Sequence, residues 1–126
     1  MESAQAGYKR GSMTQERRQS DRFDTLNLSC VQVDEDGSVV FEGMGRTLNV
    51  SKGGILLEII SDKPLLGHIV LQIALEDDLV DLSGNIIHCD VKEARINHVG
   101  IEFLKMSDKA TVILDKFIKV FEEQYA

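Results

Sequence analysis

From Phe23 onward, apolar and polar positions alternate in short runs broken by turn residues, the pattern of strands rather than helices. Leu26, Leu28 and Cys30 alternate with Asn27 and Ser29, and Val31 and Val33 continue in the opposite phase, which predicts a strand with a bulge near Cys30. Asp34-Glu35-Asp36-Gly37 predicts a turn. Val39 to Glu42 predicts a second strand, with Gly43-Met44-Gly45 as a loosening and Thr47 to Val50 as its continuation or a third strand. Ser51 to Gly54 turns the chain into the apolar run Ile55 to Ile60, which Asp62-Lys63-Pro64 ends. The clearest period of two follows, with Ile69, Leu71, Ile73 and Leu75 on one face. Leu79 to Asp90 predicts a long strand bulged at Gly84, and Val99 to Leu104 the last one. Turns at this spacing predict an antiparallel barrel or sandwich.

The period then changes. Ala110, Ile113, Leu114, Phe117, Ile118 and Phe121 recur at steps of three and four, the apolar stripe of one amphipathic helix over 108–124, with Ser107 or Asp108 placed to cap it. A stripe of this length suits packing on the β-domain better than a coiled-coil seam.

The 126 residues make one domain, large enough for a core without disulfide or metal staples. The predicted organisation is a disordered arm over 1–14, where Gly11-Ser12-Met13 has the form of a cloning remnant, and a folded domain over 15–126. No run approaches the roughly 18–20 apolar residues of a membrane span, and no secretory signal opens the chain. A cytoplasmic protein without membrane insertion is therefore expected. Cys30 and Cys89 lie far apart in apolar strand segments, which predicts buried free thiols rather than a disulfide.

The formal net charge of -7 divides unevenly. Through Arg22 there are five basic and three acidic side chains, a balance of +2, whereas the remainder has nine basic and eighteen acidic, a balance of -9. An acidic body with a basic arm argues against extended nucleic acid, and so does the small supply of aromatic stacking platforms. It leaves room for a local anion site.

The sequence carries no recognisable catalytic motif. His68, His88 and His98 lack the spacing of a zinc helix, no nucleophile motif is present, and the acidic turns lack the register of a calcium loop. The expectation is a protein that is not an enzyme and needs no cofactor. Two short constellations remain. Glu16 to Arg22 places Arg17, Arg18 and Arg22 just ahead of the first strand; this is either a solvated charged linker or a flexible cluster of guanidinium groups able to grip phosphate or a guanine edge. Asn49-Val50-Ser51-Lys52-Gly53-Gly54 reads by itself as a hairpin turn, with Asn and Ser bonding the local backbone and glycine supplying positive φ.

Taken in order, Arg18-x-x-x-Arg22 and Asn49-x-Ser51-x-x-Gly54 resemble the paired motifs of the PilZ domain family. Gly84-Asn85-Ile86-Ile87, Gly100-Ile101-Glu102-Phe103 and the C-terminal helix are similar to further family features, so the likeness runs from about Gln15 to the end. It implies an all-β fold with a C-terminal helix: a six-stranded antiparallel, Greek-key-like barrel of the PilZ type that binds the bacterial second messenger cyclic di-GMP. By that likeness Arg18 and Arg22, with Arg17 as an added contact, would hold phosphates and guanine edges. Asn49 and Ser51 would bond a guanine, Gly53 and Gly54 would also be ligand-binding positions, with Gly54 allowing close backbone approach, and His88 would stack on a base. Asn49 stands where Asp is commoner in the family, which removes a carboxylate acceptor. The implied function is a switch in which ligand orders the arginine segment and a protein effector reads the change. The alternative is a degenerate relative that binds a protein partner without the nucleotide. Monomer and dimer fit equally.

Overall fold

The computed structural model describes residues 26–33 and 35–125, Tyr125 by its backbone alone. The strands are β1 (Asn27–Val33), β2 (Val39–Val50), β3 (Gly54–Ile60), β4 (Gly67–Leu75), β5 (Asp78–Glu93) and β6 (Ile96–Phe103), followed by the helix α1 (Asp108–Tyr125). All neighbours are antiparallel and the sheet closes in the order β1-β2-β3-β6-β5-β4. Closure follows from the alternating sequence: each strand has one apolar face, and a closed sheet buries all six faces against one another. The core contains Leu28, Leu57, Ile59, Leu71, Ile73, Leu82 and Val99, each with no exposed surface.

Four local expectations are corrected. The first strand does not bulge near Cys30: Leu28, Cys30 and Gln32 all point inward, and the register shifts only between Gln32 and Val33. Cys30 has Gly43 opposite it on one side and Leu71 on the other, and two ladders hold the period of two. Gly43 to Gly45 does not loosen β2. Gly45 is buried where a Cβ would stand 3.0 Å from Leu57 and 3.1 Å from the Cys30 sulfur, so its bareness makes room for the core. Gly84 is likewise no bulge, since a Cβ there would meet Ile101 at 2.5 Å; the register shift lies between Ile86 and His88 and leaves Ile87 exposed. The last strand begins at Ile96 rather than Val99. Asn97 is buried but satisfied, its Nδ2 donating to the Ser61 and Arg95 carbonyls at 3.2 Å each, so a polar residue extends the strand at little cost.

α1 packs against β2, β4 and β5 and buries Ala110, Ile113, Leu114, Phe117 and Phe121. Ser107 caps it, its Oγ accepting from the Ala110 N–H at 3.1 Å while its carbonyl accepts from the Thr111 N–H. Fully buried Phe117 is worth about 2–3 kcal/mol in burial alone. The connection from β3 to β4 carries buried Leu65. Both cysteines are free thiols; Cys30 is buried and Cys89 half-buried.

Candidate ligand-binding cleft

The barrel closure brings together side chains that are far apart in sequence. Asn49 sits one residue before the end of β2, Ser51 just after it, Gly54 opens β3, and His88 lies on β5. β6 joins the last two, since Gly54 is opposite Glu102 and His88 opposite Gly100. Asn49, Ser51, Gly54 and His88 line one open cleft of about 320 Å³, together with Leu56, Ile87 and Gly100.

The turn that shapes its edge is held locally. Asn49 Oδ1 accepts from the Val50 N–H at 2.9 Å, a bond that leaves the Nδ2 donors unused. Ser51 Oγ accepts from the Gly53 N–H at 3.3 Å, and the Ser51 N–H donates to the Gly54 carbonyl at 2.9 Å. Neither glycine of the turn has positive φ, contrary to the sequence expectation; that conformation belongs to Gly37 and Gly67. The two glycines differ in role. A Cβ on Gly54 would stand 2.5 Å from the Ile101 carbonyl oxygen, so its close approach is to β6, while Gly53 has open space around its Cα. Gly53 lies outside the cleft lining and fastens the turn through its carbonyl, which accepts from the Phe103 N–H at 3.0 Å.

His88 is positioned by what Gly100 lacks. A Cβ at Gly100 would fall 2.7 Å from His88 Nδ1, so the imidazole rests directly over the bare Cα across the strand pair. The bulge at Ile87 aims an exposed apolar side chain at the same cleft. The lining thus offers an amide, a hydroxyl and an imidazole beside the apolar surfaces of Ile87 and Leu56, a set suited to a flat heteroaromatic ring with a polar edge. It carries no permanent charge. Lys52, the nearest cation on the turn, lines a neighbouring cleft with Asp115, Ile118 and Lys119 of α1.

Arg17, Arg18 and Arg22 lie outside the described residues. The described chain begins where it is fastened to β2: the Leu26 carbonyl accepts from the Thr47 N–H at 3.1 Å and from Thr47 Oγ1 at 2.7 Å. Leu56, Ile87 and Gly100, which also line the cleft, were not singled out individually as site residues by the sequence. Only Gly100 carried a signal, a glycine inside a strand. Among the described residues, no three His, Cys, Asp or Glu side chains converge as metal ligands, and no helix is long and apolar enough to cross a membrane.

The sequence profile of the PilZ domain matches residues 16–119. No curated protein matches the chain in sequence. Among solved structures, the PilZ domain of CeSA from a cellulose-synthesizing bacterium is similar at a TM-score of 0.55 and 16% identity, over 78% of this chain and 93% of that one. YcgR from Escherichia coli, solved in complex with c-di-GMP, is similar at a TM-score of 0.50 and 15% identity, over 79% of this chain and 42% of that one. MrkH of K. pneumonia in its apo state is similar at 0.52 and 13%, over 79% and 48%. The chain spans less than half of the latter two proteins, and these likenesses concern the fold.

Proposed function

The chain belongs to the PilZ domain family, whose profile spans residues 16–119, and on that premise we propose that it is a cyclic di-GMP receptor that passes the signal to a protein effector. One observation carries the reading: Asn49, Ser51, Gly54 and His88 line a single cleft whose described lining holds polar and ring-facing groups but no fixed charge. Cyclic di-GMP presents two guanines and two phosphates. The cleft suits a guanine, with Asn49 and Ser51 at its polar edge and His88 beside its face. The phosphates need cations from elsewhere.

Arg17, Arg18 and Arg22 supply them in this reading. Arg22 lies four residues before Leu26, a span of at most about 14 Å for an extended chain, and Leu26 is fastened to Thr47, two positions from Asn49 on β2. Guanidinium groups would meet phosphate oxygens and guanine O6/N7 in bidentate fashion. Ligand would relieve the mutual repulsion of the arginines and hold the segment on the barrel, an order change that an effector reads. The binding unit is then residues 15–126, working in the cytoplasm as a receptor rather than an enzyme, and its acidic body disfavours longer polyanions.

Titration calorimetry with cyclic di-GMP tests this. Saturable heat in the micromolar range is expected, with large losses for Arg22→Ala and for Ser51→Ala. No heat, or binding indifferent to both substitutions, would leave the family's protein-binding adaptor role in its place.

A further inference from the structure

A second cleft, of about 500 Å³, opens between the outer half of β2 and the segment 60–65. It shares no lining residue with the first. Two features of its wall ask for the same chemistry. Gln32 is an inward-facing residue of β1 with only 6% of its surface exposed, and its side-chain amide makes no hydrogen bond among the described residues while lining this cleft. A buried amide without a partner is costly, and both its donor and its acceptor point to a missing group that offers both.

The second feature is the edge of β2. β3 pairs with β2 only from Gly45 onward, whereas β1 pairs with it as far as Val39. The Thr47 N–H bonds toward β1, so along the regular stretch between Thr47 and Phe41 the odd positions face β1 and the even ones face the β3 side. The Glu42 N–H and C=O therefore point to a side where no described strand stands, and Glu42 lines the cleft. Val40 and Ile60, each about half exposed, flank this edge.

We propose that this cleft docks an extended, uncharged segment of a partner protein, which adds a short strand at Glu42 and places a main-chain amide against Gln32. A peptide unit offers one donor and one acceptor, which is what both features lack. The rim favours a neutral occupant: Asp62 pairs with Arg95, and the remaining Glu42 and Lys63 are opposite in sign. Apolar side chains at alternate positions of the segment would cover Val40 and Ile60. The Glu42 carboxylate opposes pairing of β2 with a second copy of itself, since a two-fold centred there sets like charges face to face.

The probe is a capped pentapeptide, Thr-Val-Thr-Val-Thr, titrated into the isotope-labelled full chain and followed by NMR. Saturable shifts at low millimolar peptide are expected at the Gln32 side-chain amide, at Glu42 and over 60–65, with little dependence on salt. A counterpart N-methylated at its central residue should bind at least tenfold more weakly. Gln32→Leu should weaken the peptide at least fivefold and leave cyclic di-GMP binding unchanged; if that variant does not fold, the N-methyl comparison decides alone. No saturable shift, equal binding of the N-methylated peptide, or shifts centred on the Asn49 and His88 cleft would overturn the proposal. So would dimerisation through these residues without peptide, which would make the occupant a second copy of the chain.

Discussion

The imidazole of His88 stands over the bare Cα of Gly100, on the facing strand, so closely that a methyl group there would lie 2.7 Å from Nδ1. The obstacle is one ring on an exposed side chain, so Gly100→Ala should leave the barrel folded and turn the imidazole out of the cleft. Cyclic di-GMP affinity should fall about tenfold, within the roughly 1–3 kcal/mol that aromatic stacking on a base contributes. His88→Ala should cost a similar amount, and the double variant no more than either alone. Calorimetry on the three proteins checks this; additive losses would show that Gly100 and His88 act separately.

The glycines of the turn should separate in stability. Gly54→Ala sets a Cβ 2.5 Å from the Ile101 carbonyl oxygen, a backbone atom that cannot swing away, whereas Gly53→Ala meets open space at ordinary φ. Gly54→Ala is expected to lose about 2 kcal/mol or more, seen as a fall in Tm of about 10 °C for a domain of this size. Gly53→Ala should melt within a degree or two of the parent. Thermal melts without ligand distinguish a structural glycine from one that only gives a ligand access.

Asn49→Asp should strengthen nucleotide binding. The Oδ1 of Asn49 is engaged by the Val50 N–H, and its amide otherwise offers donors to the cleft. A carboxylate keeps that bond and adds a charged acceptor for the guanine N1 and N2 donors, worth about 1 kcal/mol more than a neutral one, or about fivefold in Kd. Competition titration at pH 7 reads the change; a weaker Kd would place Asn49 away from the guanine edge.

Cys30 should make the fold sensitive to alkali. Burial pushes its thiol up to about 12 from 9.0, and the hydrogen bond from the Gly45 backbone offsets only part of that. Because the folded state holds this proton more tightly, the contribution is complete below about pH 9 and is lost as pH rises from 9 toward 12, at up to about 1.4 kcal/mol per unit. Urea unfolding from pH 8 to 11 should show that slope, and Cys30→Ala should remove it while costing a smaller, pH-independent amount. The same burial should keep Cys30 inert to thiol reagents that reach half-buried Cys89.

The sequence by itself determined the number and kind of elements. Strict alternation through Ile69 to Leu75 and the three-and-four spacing from Ala110 to Phe121 are local signals, and the core faces they predicted are the buried ones. It also marked the turn residues Asn49 to Gly54, whose side chains bond backbone groups only one or two positions away. Only the tertiary structure decided where the irregularities fall, because a bulge is settled between two strands. Gly45 and Gly84 looked like breaks but are bare to admit neighbours, while the shift at Ile87 has no mark of its own. In the same way Gln32 and Asn97 read as outward-facing or loop residues, yet the ladders on both sides of their strands turn them inward. The family likeness grouped His88 with Asn49, Ser51 and Gly54, but what joins them physically belongs to the fold, since β6, the last strand, is the one that β3 and β5 share.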